Sequence, residues 1–326
     1  MEQIDNVWFA VVNPHAGAGK TLDAWKKAEA LLEQRGVGCI CRTTDCKCHA
    51  TELAYNAAND GVRRFIAAGG DGTVHEVLDG IMHSVADSAM KGYPVALSEF
   101  YLAVIPIGSG NDWIKSHGIT GSTEDVVDLI ACGSFALQDI VKVSLLDQER
   151  GCVPLKTSYM INVGGIGFDA RICERVNAQK DAGKSGRMLY VNALASLLMS
   201  TGHFGAKVIC DGRTVYEGDC LSMALGIGRY SGGGMRQTPD AVLDDGLLDI
   251  TVIPHLPILR IMREAYKLFN GKLLTINEVV ACKARSVTVV PLASGPEPVE
   301  VDGEVVGKSP VRFDVLPDQI NVLHGR

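Results

Sequence analysis

The sequence predicts an α/β domain built on a Rossmann-like parallel sheet, followed by a mostly antiparallel β-sandwich. Three observations carry that expectation. Up to about residue 133, continuous apolar runs alternate with helix-period stretches, the pattern of parallel strands buried on both faces. Three of these runs lead into polar, glycine-bearing turns, and in an open parallel sheet ligands sit outside the carboxyl ends of the strands. From about Phe135 the pattern changes to short β-type runs separated by turn residues. The expected division is 1–133 for the α/β nucleotide-binding domain and 134–315 for a β-sandwich substrate domain, with 316–326 packing back on the first.

Residues 7–12 (Val-Trp-Phe-Ala-Val-Val) form the first strand. Asn13-Pro14-His15-Ala16-Gly17-Ala18-Gly19-Lys20-Thr21 follows and at first resembles a P-loop, but that loop needs a glycine where Pro14 stands. It is a glycine-rich strand-to-helix turn with a lysine, compatible either with phosphate or with a plain βα loop. A helix is expected over 21–35, with Leu22, Trp25, Leu31 and Leu32 near the 3.6 period and Gly36 ending it. A strand over 38–43 and a helix over 49–59 come next. Cys39, Cys41, Cys46 and Cys48 lie beside His49, but Cys-x-Cys differs from the usual Cys-x-x-Cys of zinc sites, so thiols on a strand face are the favoured reading.

The run 65–68 enters Gly69-Gly70-Asp71-Gly72-Thr73-Val74-His75-Glu76, with a helix-compatible stretch over 74–81. Such a turn presents backbone N–H groups with no side chain in the way and suits phosphate oxygens, and Asp71 beside it suits a metal or a reacting proton. A further strand, 101–105, ends in Pro106-Ile107-Gly108-Ser109-Gly110-Asn111-Asp112. Ser122 or Thr123 then caps a short helix over 124–131. Three glycine turns at one sheet edge form a nucleotide-site arrangement.

In the second domain, strands are expected over 140–146, 158–163, 206–210, 214–217, 222–227, 248–253, 286–290, 299–301 and 311–315, with a hairpin turn at Asp211-Gly212. A helical insertion is expected over 187–199. A second helix, 258–269, has Ile258, Ile261, Met262, Ala265, Leu268 and Phe269 on one face and Arg260, Arg263 and Lys267 on the other. Such a helix either lies on a membrane or packs its apolar face on its own domain, the latter being favoured. The acidic turn from Asp240 to Asp249 suits a hard cation or is an ordinary Asp-Gly turn. Asp302-Gly303-Glu304, read alone, is surface turn chemistry.

Composition narrows the function. The chain has 326 residues, 47% of them hydrophobic and 21% charged, as ordinary globular proteins do. A net charge of −7 argues against a broad nucleic-acid footprint, so no nucleic-acid partner is expected, and any membrane contact must come from a local patch. No apolar run approaches the roughly 20 residues of a spanning helix. The acidic start Met1-Glu2-Gln3-Ile4-Asp5 lacks an export signal, which with ten cysteines leads us to expect a cytoplasmic protein with reduced thiols.

Taken together and in order, Asn13-Pro14 with Gly17, Gly19 and Lys20, the Gly69–Thr73 element, the Pro106–Asp112 element, Thr238-Pro239 through Asp244-Asp245-Gly246, and Asp302-Gly303-Glu304 resemble the diacylglycerol kinase catalytic-domain superfamily, most closely its soluble bacterial lipid kinases. The resemblance spans essentially the whole chain, and the Gly-Gly-Asp-Gly-Thr element is shared with NAD kinases. It implies a two-domain, NAD kinase-like fold with ATP in the cleft and transfer of the γ-phosphate to a lipid hydroxyl, diacylglycerol being the leading acceptor and a sphingoid base the alternative. It implies that Asn13, Pro14, Gly17, Gly19, Lys20, Thr44, Gly70, Asp71, Gly72, Thr73, His75, Glu76, Ser109 and Asn111 line the nucleotide. It implies further that Asp71, Asp112 and Asp139 hold a catalytic Mg²⁺, partly through water, that Asp245 with the backbone of Val242 and Leu247 holds a structural Mg²⁺, and that Glu304 is the general base, with Asp71 the second candidate. Lipid presented by a membrane surface, transient contact with that membrane, and dimers belong to the same implication. His75, where bacterial members usually carry asparagine, and Gly110 after Ser109 are similar to the sphingosine kinase branch. A catalytically silent nucleotide-binding regulator is the non-enzyme alternative, against which the retained Asp71, Asp112 and Glu304 argue.

Overall fold

In the computed structural model, which describes residues 7–19, 21–108, 110–147, 153–181, 202–292 and 295–325, the chain divides into two units. One runs to Asp139 and resumes at Pro317; the other is Ile140–Leu316.

The first unit is a parallel sheet flanked by helices. β1 (Trp8–Val12) pairs on one side with β2 (Cys39–Thr43) and on the other with β3 (Arg64–Gly69), which pairs with β4 (Tyr101–Pro106). Asn321 and Val322, near the end of the chain, add a parallel partner to Tyr101 and Leu102. β1, β3 and β4 are almost wholly buried, which is why their sequences are continuous apolar runs rather than alternating ones. Helices α1 (Thr21–Gln34), α2 (His49–Asn59), α3 (Asp71–Met90), α4 (Asp112–Ser116) and α5 (Thr123–Ala131) complete the unit.

Several local expectations shift. The inner face of α1 is Thr21, Trp25, Ala28 and Leu32, while Leu22 is 44% exposed: the buried stripe starts one residue earlier than the leucine pattern suggests. α3 runs to Met90 rather than ending near residue 81, because buried Met82, Ser84 and Ser88 continue its inner face. Gly80 within it lets α2 approach: a Cβ there would stand 2.3 Å from the Thr51 carbonyl oxygen. Ser122, not Thr123, caps α5, accepting the Asp125 N–H at 3.3 Å.

The second unit is antiparallel. Its strands are β5 (Phe135–Asp147, entering from the first unit), β6 (Val153–Met160), β7 (Val163–Gly167), β8 (Phe204–Cys210), β9 (Arg213–Gly226), β10 (Leu248–Pro254), β11 (Val280–Ala284), β12 (Ser286–Pro291), β13 (Pro298–Val301), β14 (Glu304–Lys308) and β15 (Val311–Leu323, whose end belongs to the first unit). The pairing order is β14-β13-β7-β9-β8-β12-β15, with β10 and then β11 leading off β9, and β5 and then β6 leading off β15. One apolar core, including Met160, Phe204, Leu225, Ile250, Val287 and Phe313, fills it.

The expected strand 158–163 is broken at Ile161-Asn162, whose N–H groups turn to the Asp302 carboxylate. The expected strands 214–217 and 222–227 are one strand, β9, since Gly218 and Asp219 stay in register with Ala206 and Gly205. Asp211-Gly212 is the expected β8–β9 turn, with φ of 47° and 79°. Helix α6 (Phe168–Asp181) has no counterpart in the sequence reading, and the expected helix 187–199 lies outside the described residues. The segment 258–269 is helical in two short pieces, α7 (Ile258–Glu264) and α8 (Lys267–Asn270), neither with a buried residue; it does not pack its whole apolar face on the domain. Among the described residues, no helix is long and apolar enough to cross a membrane.

Candidate functional site

The first unit brings its three glycine turns together. After β1, the Asn13 N–H donates to the Ala68 carbonyl, and Asn13 Oδ1 accepts the His15 N–H, which bends the chain through Pro14 into the turn Ala16–Gly19. Asn13 Nδ2 donates to Thr73 Oγ1 at 3.3 Å, tying the first turn to the second. Gly17 has φ of 57°, and a Cβ on it would lie 2.4 Å from the Ile107 carbonyl oxygen, so the first turn also rests against the third. A Cβ on Gly108 would lie 2.6 Å from the Gly70 Cα, so the second and third turns touch through their backbones. Lys20 and Ser109 lie outside the described residues.

Gly70 is the N-cap of α3, and Asp71, Gly72 and Thr73 form its first turn. Asp71 Oδ2 accepts the Asp112 N–H at 3.0 Å and Oδ1 the Trp113 N–H at 3.2 Å. The carboxylate therefore seals the N-terminus of α4, where the helix dipole favours negative charge. Asn111 enters α4 with φ of 47°, and its Nδ2 donates to the Gly108 carbonyl at 2.9 Å. A Cβ on Gly110 would lie 3.2 Å from Asp71 Oδ2 and 3.8 Å from Asp112 Oδ2, so both carboxylates flank this glycine. Asp112 is buried and pairs with Lys115 Nζ at 2.5 Å.

Other expected nucleotide residues have structural partners. Thr44 is buried, its N–H donating to the Val12 carbonyl. Glu76 accepts the N–H groups of Cys48 at 3.1 Å and Ala50 at 3.2 Å, capping α2. His75 is buried in α3.

Asp139 is buried and accepts Gln319 Nε2 at 2.7 Å. Among the described residues, no group of three or more His, Cys, Asp or Glu side chains is placed to hold a metal ion, so Asp71, Asp112 and Asp139 do not make a three-carboxylate cage. Asp71 and Asp112, which both flank Gly110, supply carboxylate oxygens of the kind Mg²⁺ takes one or two of beside its waters and phosphate oxygens; the ion would use the lone pairs that the Asp112 and Trp113 N–H groups leave on Asp71 and would displace the Lys115 ammonium from Asp112. The cysteines give no metal site either: Cys39 and Cys41 share a face of β2, and burial pushes the Cys39 thiol up to about 12 and raises that of Cys41.

The second unit carries the other candidate. Asp302 and Gly303 form a tight β13–β14 turn with φ of 51° and 88°. Asp302 is buried, accepting the Asn162 N–H at 2.9 Å and the Ile161 N–H at 3.0 Å, which fixes the turn to the entry of β7. Glu304 opens β14, half-buried, with Asn177 Nδ2 of α6 at 3.4 Å from Oε2. Two acidic residues beside it are absent from the sequence reading. Glu300 Oε2 accepts the Gly303 N–H at 2.9 Å, and Asp169 accepts the Ser222 hydroxyl at 2.5 Å. A glutamate inside a strand buried at every position was the available signal for Glu300; Asp169 and Asn177 came with the unread helix α6.

Burial pushes the Glu300 carboxyl up to about 8, and the charges of Asp169, Asp302 and Glu304 add to this against the Gly303 hydrogen bond. Burial likewise raises Asp169. The folded protein thus binds a proton at Glu300 that the unfolded chain releases above its ordinary value of 4.5, and the fold loses stability as pH rises from about 4.5 to about 8. Glu300→Gln, which keeps an acceptor for Gly303, is expected to flatten the fall in Tm over that window in thermal melts.

The acidic turn expected to hold a structural Mg²⁺ has a resident cation. Lys283 Nζ lies 3.1 Å from Asp245 Oδ2, 3.0 Å from Asp249 Oδ2 and 3.2 Å from the Asp240 carbonyl oxygen. Asp245 Oδ1 meanwhile accepts the N–H of Leu247 at 3.0 Å. Lys283 thus stands where a divalent ion held by Asp245 and the Val242 and Leu247 carbonyls would sit, and such an ion would have to displace it. EDTA should leave the Tm of the protein unchanged, whereas Lys283→Met should cost about 1–2 kcal/mol for a partly solvated ion pair and make Tm rise with added Mg²⁺.

Comparison with known proteins places the chain. Residues 7–143 match the diacylglycerol kinase catalytic domain, and 162–324 match the YegS C-terminal NAD kinase beta sandwich-like domain. Similar relatives include a protein named as a YegS-like lipid kinase from Xanthomonas oryzae, 28% identical over 320 residues (97% of this chain, 95% of that one). Another is a diacylglycerol kinase from Mycobacterium tuberculosis, 25% identical over 318 residues (97% and 94%). A crystal structure of a diacylglycerol kinase from Bacillus anthracis shares the fold, with a TM-score of 0.69 at 22% identity over 100% of this chain and 98% of that one. A second structure from the same organism gives 0.74 at 24% identity, over 100% and 97%. The chain belongs to the diacylglycerol kinase family, in the branch of the YegS-like lipid kinases, and is a phosphotransferase with an alcohol acceptor.

Proposed function

We propose that the protein transfers the γ-phosphate of ATP, with Mg²⁺, to the free hydroxyl of diacylglycerol, giving phosphatidic acid. The observation that carries the nucleotide half is the junction of three glycine turns beside the Asp71 and Asp112 carboxylates. Phosphoryl transfer asks a protein for placement and charge neutralisation more than for covalent chemistry. Side-chain-free backbone at Gly17, Gly70 and Gly108 lets the three turns meet, and the glycine turn at the N-terminus of α3 suits phosphate oxygens; Asn13, Thr73 and Asn111 brace those turns. Asp71 and Asp112 would hold Mg²⁺, which when bound supplies positive charge to the transferring group.

A lipid hydroxyl is a poor nucleophile at neutral pH, so a carboxylate must accept its proton as the new bond forms. Glu304 supplies it in this reading, on a turn held rigid by Asp302. Diacylglycerol as acceptor rests on the kinship with diacylglycerol kinases.

The test is incubation of the purified protein with labelled ATP, Mg²⁺ and a total lipid extract, with the labelled product identified by mass. Phosphatidic acid as the product supports the reading; a labelled sphingoid base, or labelled NADP from added NAD, replaces it.

A further inference from the structure

The segment 258–270 has a surface that its own domain does not use. Ile258, Leu259, Met262, Tyr266 and Phe269 are exposed, Leu259 at 79%, Met262 at 65%, Tyr266 at 59% and Phe269 at 56%. Ala265 and Tyr266 keep right-handed helical geometry between the two pieces, so one wheel describes both. At about 100° per residue the five side chains fall within one arc of about 100°. Ile261 and Leu268 turn away from that arc and Ala265 borders it beside Ile258; all three are half-buried.

The segment is nevertheless fastened. Leu256 before it and Leu273 and Ile276 after it are buried, and the Arg236 N–H donates to the Leu268 carbonyl at 2.6 Å. A rooted helix with an unneeded apolar arc is a presented surface, not a frayed one.

Charge says what it meets. In a chain of net charge −7, residues 258–272 hold Arg260, Arg263, Lys267 and Lys272 against a single acid, Glu264. Arg263 follows the apolar arc on the wheel, where a long basic side chain reaches past a buried face to headgroups, while Lys267 beyond it is mostly buried and held by Glu264 at 3.0 Å. Glu264 lies 3.6 Å from Arg260, 3.2 Å from Arg263 and 3.0 Å from Lys267, and Glu278 lies 3.3 Å from Arg260, so two carboxylates meet three cations and the flank stays net positive, with the Arg263 side chain 64% exposed on it. A second copy of the chain placed on this face about a two-fold axis would set like charges against each other. We infer that this segment docks the protein on an anionic lipid surface, its apolar arc entering the headgroup boundary and its basic flank meeting the phosphates. The inference rests on the lipid-kinase reading, since a lipid hydroxyl must be drawn from a bilayer.

Vesicle sedimentation with the full chain tests it, using phosphatidylcholine with and without phosphatidylglycerol. The wild type should pellet with the anionic vesicles and be released by salt. Leu259→Glu with Met262→Glu should weaken that partition by at least about tenfold, and Arg263→Glu should weaken it and reduce its salt dependence. Circular dichroism, and turnover of a short-chain, water-soluble diacylglycerol, should be unchanged in all of them. The inference is overturned if the wild type ignores anionic vesicles, or if the double variant sediments as the wild type does. A double variant that only converts a dimer to a monomer by size exclusion would reassign the face to self-association. Because sedimentation needs no turnover, loss of partition in a protein that phosphorylates no lipid would retain the docking surface and remove the lipid-kinase reading.

Discussion

Glu304→Gln is expected to lower kcat by about 10² to 10⁴, the usual worth of a positioned general base, while leaving the Kd for ATP unchanged. The substitution is informative because its surroundings are insensitive to it. Glu304 follows a turn whose shape is set by Asp302, through the N–H groups of Ile161 and Asn162, and by the left-handed Asp302 and Gly303. Glutamine keeps the length of the side chain and an oxygen for Asn177, and loses the negative charge and with it the ability to take a proton. Single-turnover transfer of labelled phosphate, beside equilibrium binding of ATP, separates the two effects. Turnover within a few-fold of wild type would remove Glu304 from the role.

Asp71→Asn should abolish transfer and also destabilise the fold. The Asp71 carboxylate accepts two backbone N–H groups at the start of α4. Asparagine offers one oxygen, and its amide nitrogen would face a second donor, leaving one N–H unsatisfied at about 1–3 kcal/mol. It also removes one of the two negative charges flanking Gly110, and with it a ligand of the proposed Mg²⁺. Asp112→Asn is the comparison: its carboxylate pairs with the Lys115 side chain, and asparagine keeps an oxygen for that ammonium, so it should lose transfer with a smaller change in Tm than Asp71→Asn. An Mg²⁺ titration of turnover, together with thermal melts of both variants, makes the distinction. Normal turnover in Asp71→Asn would dismiss this residue as a magnesium ligand.

The βα units of the first half were legible because their physics is local. An apolar run, a glycine turn and a 3.6-period stretch need no distant partner to be recognised, and β1, α2 and β4 lie within a residue or two of where the pattern puts them. Asp71 was picked out because it stands inside a glycine turn at a strand end; Asp112 and Glu304 entered through the family resemblance, the Asp302-Gly303-Glu304 turn reading by itself as surface chemistry.

Legibility failed where the deciding partner is remote. The break in the expected strand 158–163 follows from Asp302, about 140 positions away, which claims two of its N–H groups. Helix α6 was unread because its inner residues pack against β7, β13 and β14 instead of displaying a clear stripe. The burial that raises Glu300 belongs to the neighbours of β13, not to its own four residues.

What the sequence by itself determined is the order of strands and helices in the first unit, the change to antiparallel β structure in the second, and the residue types of a phosphate-transferring kinase. Those follow from hydrophobic period, glycine and charge, all read within a few positions. Only the tertiary structure decided that Asp71 seals a helix at Asp112 and Trp113, that Lys283 fills the acidic turn, and that the apolar arc of 258–269 faces outward. Each depends on a contact between segments distant along the chain, or on the lack of one, and the free energy of a buried hydrogen bond or ion pair is set by where the fold puts both partners.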